Sequence, residues 1–376
     1  MKILILKGKS LEEKRVAITP DLVSKYSKLG YEIFVESGAG EKCNISDQEF
    51  NNVSAKVVAN IEEVLNQVDI VLVVESPYSD DLKKLAQVKK DAILLGALNP
   101  YFEKEKIENY AVAGINAVAA ELFPRITRAQ SMDILSSQSN LAGYRAVIDA
   151  VYHLSTAIPM MMTAAGTITP AKVMILGAGV AGLQAIATAK RLGAVVTAFD
   201  VRAAAKEQVE SLGAKFIEVK ADEKDGETKG VYAQEMSFDY QKRQEQAIFD
   251  NIIKQDVVIS TALIPGKPAP KLISKEMVEK MVDGAVIVDL AAVNGGNCEL
   301  TKKDEIVKIG GVTILGYSNF PSRVAKDASK LYAKNLYNFI ELITDKNSKI
   351  IKLDLEDEII KSALLTNQGK VLFKIH

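Results

Sequence analysis

Val173-Met174-Ile175-Leu176-Gly177-Ala178-Gly179-Val180-Ala181-Gly182 is the stretch on which the reading of the fold turns. Four apolar residues predict a buried strand, and the spacing of the apolar residues from Val180 to Arg191 predicts a helix. The glycines between them follow the pattern GxGxxG. Gly177 permits a tight turn, Gly179 a close approach of pyrophosphate, and Gly182 close packing of helix on strand. Phosphates would rest on the amides at the helix N-terminus, where the dipole favours negative charge. The loop residues Ala178 and Val180 belong to the same cradle. A lone GxGxxG is weak evidence, and context strengthens it here. A second strand, Ala194–Phe199, ends in Asp200, twenty-three residues beyond Gly177 and followed by Val201 and Arg202. An acid at that point accepts hydrogen bonds from both ribose hydroxyls and repels a 2′-phosphate, which selects NAD(H). Arg202, two residues on, weakens that preference over NADP(H).

Outward from this motif the chain alternates strands and helices twice, which predicts parallel sheets covered by helices. The first series has strands at Ile3–Leu6, Glu32–Val35, Ile70–Val74, Ala92–Leu95 and Ala111–Ile115, none followed by a glycine fingerprint. The second runs from Lys172 to about Leu315, with strands at Val173–Leu176, Val195–Phe199, Val257–Ser260 and Ala285–Asp289. Long helical patterns occupy Ser131–Leu154, interrupted by Gly143, and Lys326–Thr344. The fold class is therefore α/β, with two Rossmann-like doubly wound parallel-sheet domains joined by long helices. One domain takes residues 1–130 plus about 326–376, and the other 131–325. Strand ends line the crevice of a doubly wound sheet, which puts Ala262, Leu263 and Pro265 on the nicotinamide side and offers Asp289 a similar place. Glu218–Gln246 is long, charged and breaks the α/β rhythm, and Tyr232 after Gly230 favours a lid there over a solvated insertion.

Composition removes other classes. The 376 residues carry a net charge of -1, which gives no electrostatic footprint for nucleic acid or anionic membrane. Cys43 and Cys298 lie far apart without metal-ligand spacing, so no metal site is expected. Only His153 and His376 offer imidazole, which nearly excludes a histidine-based hydrolase. The N-terminal apolar run is too short for a signal peptide. The uncharged stretch from His153 to Ala171 contains Pro159, Gly166 and Pro170, and reads as a buried linker or core segment rather than a membrane span.

Pro124-Arg125-Ile126-Thr127-Arg128-Ala129-Gln130-Ser131-Met132-Asp133 places polar side chains at the crossover between the domains. Thr127 or Ser131 as a cap, with Asp133 in the first turn, accounts for some of it. Arg125, Arg128 and Gln130 exceed what capping requires, and the polar run continues through Ser136-Ser137-Gln138-Ser139-Asn140. A ligand-facing role outweighs capping alone, because clefts between domains favour ligands.

With these segments in view, the sequence resembles the NAD(H)-binding component of the proton-translocating nicotinamide nucleotide transhydrogenases, within a superfamily that includes alanine dehydrogenase. The likeness runs from Lys14-Arg15-Val16-Ala17-Ile18-Thr19-Pro20 to about Asn338 and is most specific at Arg125–Asp133, Ser136–Arg145 and Gly177–Gly182. The resemblance implies NAD(H) in the second domain and a homodimer. It also implies direct, Si–Re-specific hydride transfer to NADP(H) on a beta subunit, coupled to proton translocation by a membrane-spanning subunit. The chain itself would be cytoplasmic, attached through its partners to the inner face of the cell membrane. Arg125, Gln130 and Asp133 match the family's polar loop, Ser136 falls near the carboxamide, and Tyr232 matches its mobile-loop tyrosine. Gln130 and Asp133 would align the nicotinamide ribose and the facing partner while Arg125 steadies the loop. Alanine dehydrogenase needs a lysine and a histidine near its substrate, but Val74-Glu75-Ser76-Pro77 and Leu95-Gly96-Ala97-Leu98 supply neither. The acid that enzyme places after Asp289 is missing around Val293, and Arg15 alone makes no amino-acid site. The other readings are an alanine dehydrogenase-like enzyme and a catalytically idle NAD-binding regulatory protein.

Overall fold

The computed structural model describes residues 1–219, 238–264 and 266–374. The chain divides into two compact units, residues 1–138 with 322–376, and residues 139–321. The first unit holds β1 (Lys2–Ile5), β2 (Glu32–Glu36), β3 (Lys56–Val58), β4 (Ile70–Leu72), β5 (Ile93–Gly96) and β6 (Asn116–Ala119). They form one parallel sheet in the order β3-β2-β1-β4-β5-β6. Alternate residues of a strand face opposite sides. Accordingly Ile3 and Ile5 join one apolar cluster and Leu4 and Leu6 another. The first cluster is completed by Tyr332, Leu336, Phe339 and Ile340 of the helix Ala325–Ile343, so a late segment of the chain covers the early sheet.

The first strands of the second unit form a hairpin, β7 (Met161–Thr163) and β8 (Gly166–Ile168). Its sheet contains β9 (Lys172–Leu176), β10 (Val195–Phe199), β11 (Lys215–Phe216), β12 (Val257–Ser260), β13 (Val286–Asp289), β14 (Ile306–Ile309) and β15 (Val312–Leu315). The order is β11-β10-β9-β12-β13-β15-β14, parallel except for the β14–β15 pair. Both units are Rossmann-like doubly wound sheets.

Several expectations from periodicity need correction. Residues 111 and 112 close the helix Lys104–Val112, and the strand starts only at Asn116. Gly114, at φ +70, takes the left-handed conformation that stops the helix, a turn which the apolar run 111–115 conceals. The segment from His153 to Ala171 is not a buried linker: Met161, Met162 and Ile168 of the hairpin are exposed, and burial is confined to its root at Ile158 and Ala171. The long helix expected from Ser131 is a 3-10 segment, Thr127–Met132, followed by the helix Ile134–His153. The last nine residues of the expected insertion Glu218–Gln246 belong to the helix Phe238–Ile252.

Candidate functional site

The glycine loop joins β9 to the helix Val180–Arg191 in the second unit. Gly177 has φ +97, a left-handed turn that side chains resist. A Cβ on Gly182 would lie 1.8 Å from the Gly177 carbonyl oxygen, so the two glycines interlock. A Cβ on Gly179 would meet nothing within 4 Å, which leaves the approach to the helix N-terminus open. Thr261, one residue beyond β12, donates its hydroxyl to the carbonyl of Gly177 at 3.1 Å and braces the turn. Ala178 is buried and Val180 half-exposed at the helix start.

Asp200 ends β10. Its carboxylate accepts the Ala178 N–H at 2.7 Å and ties the loop to the second strand. It also accepts Arg202 N–H (2.8 Å), Nε (2.8 Å) and Nη2 (2.8 Å). Burial opposes the charge, but the hydrogen bonds from Arg202 and Ala178 outweigh it and hold this carboxyl below the usual range. Val201 between them is half-buried.

Leu263 is exposed and Ala262 half-buried on the loop after β12. Pro265 and Tyr232 lie outside the described residues. Asn297, fully buried, accepts the Ala262 N–H at 3.1 Å and donates to the Ala262 carbonyl at 2.8 Å, a side-chain imitation of strand pairing that fixes this loop. Nothing in its sequence context announces that role. Asp289 has no ligand-facing role. It is wholly buried and accepts from Ser260 Oγ, Ala291 N, Cys298 N and Thr301 Oγ1, so it organises the turn beneath the crevice. Gly143 is more than an interruption of a helix: a Cβ there would lie 2.0 Å from the Ala181 carbonyl, so it permits close approach to the glycine-loop helix. The signal is present in the sequence, since a glycine inside a helical pattern implies a packing reason.

Arg125, Gln130, Asp133 and Ser136 fall in the first unit. Asp133, rather than Thr127 or Ser131, caps the helix Ile134–His153, accepting Ser136 N–H at 2.8 Å and Ser136 Oγ–H at 2.5 Å. Arg125 and Gln130 are exposed on the 3-10 segment and its approach, whose Ala129 and Met132 are buried. Arg128 is a structural residue, paired through both terminal nitrogens with Asp357 at 2.9 and 2.7 Å. The polar run after Ser136 is explained by the helix Ala325–Ile343: Ser137 donates to Asn335 Oδ1 at 2.7 Å and Gln138 to the Ala328 carbonyl at 3.2 Å.

Arg15 is likewise consumed. Glu13 takes its Nε at 2.8 Å and Nη2 at 2.6 Å, Gln138 takes Nη1 at 2.9 Å, and the guanidinium lies 5.7 Å from the centroid of the Tyr332 ring. Burial disfavours the Glu13 charge, yet the Arg15 guanidinium and the Ser322 hydroxyl keep its carboxyl below the ordinary value. Among the described residues no cluster of His, Cys, Asp and Glu has metal-site geometry, and no helix is long and apolar enough to cross a membrane.

A doubly wound sheet, a glycine loop opening onto a helix N-terminus and a carboxylate at the end of the next strand define a Rossmann-type dinucleotide-binding protein. The chain matches the family models "Alanine dehydrogenase/PNT, N-terminal domain" over residues 4–142 and "Alanine dehydrogenase/PNT, C-terminal domain" over 146–374, and it belongs to that alanine dehydrogenase/transhydrogenase family. It is 51% identical over 375 residues to the first part of the NAD(P) transhydrogenase alpha subunit of Rhodospirillum rubrum, covering 99% of this chain and 98% of that one. The corresponding protein of Rickettsia prowazekii is 46% identical over 373 residues, with 99% and 96% covered. The crystal structure of transhydrogenase from Sinorhizobium meliloti superposes with a TM-score of 0.89 at 46% identity, covering 99% of this chain and 100% of that one.

Proposed function

We propose that this chain is the NAD(H)-binding component of a proton-translocating transhydrogenase, with direct Si–Re-specific hydride transfer to NADP⁺ on a beta subunit. The observation that carries the reading is the open space above Gly179 at the helix N-terminus, framed by the Gly177–Gly182 interlock and by Asp200. A pyrophosphate fits that space, because backbone amides there favour an anion. Bound there, the dihydronicotinamide supplies the hydride, and the organic chemistry belongs to the cofactor. The protein binds and orients the ring and excludes water, which is catalysis by proximity. Ala262 and Leu263 would line the nicotinamide side, with Pro265 assigned there by its sequence position alone, and Asn297 holds Ala262 in place. Gln130 and Asp133 align the nicotinamide ribose with the partner's face. Arg125 steadies their loop and Ser136 meets the carboxamide, while the family resemblance assigns Tyr232 to the nucleotide.

Proton coupling belongs to a membrane-spanning subunit, to which the chain attaches from the cytoplasmic side. The names of the relatives support this division, since they are portions of a subunit. A homodimer completes the assembly, and the exposed Met161, Met162 and Ile168 of the hairpin support it by offering an apolar arm. The saturation of Arg15 by Glu13 and Gln138 argues against an alanine dehydrogenase activity, which needs a free cation for its substrate carboxylate.

The test mixes the purified chain with an NADP(H)-binding partner and follows transfer from NADH to an NADP⁺ analogue, with alanine and NAD⁺ as a second assay. Transfer in the first and silence in the second are expected. Turnover with alanine would reverse the assignment, and NADH binding without either activity would point to a regulatory protein. Gln130→Asn slows single-turnover transfer much more than it weakens NADH binding, and an unchanged transfer rate would remove Gln130 from the mechanism.

A further inference from the structure

A net charge of -1 over 376 residues conceals an uneven distribution in the first unit. The helices Pro20–Lys28 and Ala325–Ile343 turn Leu22, Tyr26, Leu336 and Phe339 into one core, and the rings of Tyr26 and Tyr337 meet edge to face at 5.1 Å. Their outer surfaces carry Lys25 and Lys28 on one helix and Lys330 and Lys334 on the other, neighbours at i,i+3 and i,i+4 spacing. All are exposed except the half-buried Lys334. Lys349, also exposed, lies beside the end of the first helix, where a Cβ on Gly30 would come within 2.8 Å of its Cδ. We propose that this lysine face is a docking surface for anionic lipid, so that the first unit rests on the headgroups of a negatively charged membrane. Such a contact adds to attachment through partner subunits, and it is independent of any nucleotide in the second unit.

The positive charge there is uncompensated. Among the described residues none of the five lysines has an ion-pair partner. No acid occurs at positions 22–31 or 328–340. The acids at the margins are already engaged: Glu32 with Lys2 and Lys56, Glu341 with Lys346, and Asp345 with Lys352. Asp21 and Asp327 sit in the first turns of the two helices, where they answer the helix dipoles. Glu49, which senses Lys326, is held by the N–H and hydroxyl of Ser46. Lys334 registers the excess: burial and the Lys25 ammonium lower its proton affinity against the pull of Glu341.

The composition of the face selects the class of partner. Protein interfaces favour arginine and aromatic anchors and are depleted in lysine. Here every cation is a lysine, Tyr26 and Tyr337 are buried, and the exposed residues between the lysines are Ser24, Ser27 and Leu331. A fluid lipid surface needs no pocket or fork, only charge on long mobile stems, and Leu331 can enter the headgroup layer. Each lysine near such a surface strengthens binding by about fivefold. Five of them give weak, reversible adhesion, which suffices for a subunit already held nearby by its partners.

The experiment floats the full chain with vesicles of phosphatidylcholine alone and of phosphatidylcholine mixed with phosphatidylglycerol. Each is run at low salt and at about 1 M salt, where charges are screened within ~3 Å. Binding to the anionic vesicles at low salt only is expected. The triple variant Lys25→Gln, Lys330→Gln, Lys334→Gln should bind them about a hundredfold more weakly. A control, Lys275→Gln, Lys280→Gln, Lys302→Gln, makes the same change in net charge in the second unit, at lysines paired with Glu279, Glu276 and Glu305. It should bind as the unaltered chain does. Thermal melts of each protein report an intact fold, and if the triple variant fails that check, Lys330→Gln alone should still weaken vesicle binding about fivefold. Equal binding to neutral vesicles, an unaffected triple variant or an equal loss in the control would overturn the proposal. So would capture of polyglutamate without vesicle binding, which would give the face to an acidic protein. Anionic-vesicle binding by a chain that takes no NADH would sink the dinucleotide reading and leave the lipid contact standing.

Discussion

The two units lay the first four strands of their sheets in the same order, β3-β2-β1-β4 and β11-β10-β9-β12, yet their described residues differ at the turn where the order reverses. In the second unit a helix starts at Val180, directly after the glycine loop, and a Cβ at Gly179 would meet open space. In the first unit β1 is followed by Leu6-Lys7-Gly8-Lys9-Ser10, and the next helix begins only at Pro20. There the Lys7 N–H donates to Glu36 Oε2 at 2.8 Å, as Ala178 donates to Asp200 in the other unit. The Lys9 and Ser10 N–H groups donate to Glu75 Oε1 at 2.8 and 2.9 Å. A carboxylate of the chain itself thus takes amides of the kind that receive phosphate in a dinucleotide site. Strand order alone therefore does not make a site; an unfilled set of amides at a helix start does.

The largest effect that tests this contrast is expected at Gly182. Gly182→Val drives a side chain into the Gly177 carbonyl, and should cost about 3 kcal/mol of stability in the second unit and abolish NADH binding. Gly179→Ala is the counterpart: its φ of -75 suits alanine and its Cβ meets nothing, so the melting temperature holds while NADH affinity falls. Equal loss of stability in both variants would break the distinction between a packing glycine and a ligand glycine. Thermal melts and nucleotide titrations decide it.

A smaller effect follows from Glu75→Ala. Losing the acceptor of two partly exposed amides should lower first-unit stability by about 1 kcal/mol, with NADH still bound once per chain. A second nucleotide bound by that variant would show that Glu75 alone closes the first unit.

The smallest effect at neutral pH is none at all. Tyr26, Tyr31, Tyr110 and Tyr332 all belong to the first unit. Burial raises their phenols, Tyr31 to about 12 and the others further or in the same direction. A raised folded-state value means that the stabilisation is complete below the unfolded phenol value near 10 and is lost as pH climbs towards 12. Phenolate absorbance and hydrogen exchange above pH 10 should therefore show the first unit opening before the second. Simultaneous opening would count against this difference.

Much of the second unit is legible in the sequence because its signals are local. A strand, three spaced glycines, a helix and an acid lie within Val173–Asp200, and each has a short-range cause. Periodicity misplaces strand β6 because Tyr110 to Ile115 is apolar whichever way it folds, and only the left-handed Gly114 separates helix from strand. The hairpin is misread when burial is inferred from apolarity, since Met161 and Met162 are exposed. Ser137 and Gln138 read as ligand-facing because their partners, Asn335 and the Ala328 carbonyl, lie nearly two hundred residues away. The bracing roles of Asn297 and Glu75 are hidden for the same reason.

What the sequence determined by itself was the class of fold, the place of the glycine loop and the family, because periodicity and spacing act over a few turns of chain. What only the tertiary structure decided was the use of each polar side chain. Asp289, Arg15, Arg128 and Glu75 have the chemistry of site residues, but each is already engaged by partners brought in by the fold. A buried polar group must be paired, and whether its partner is protein or ligand depends on distances that no sequence interval encodes.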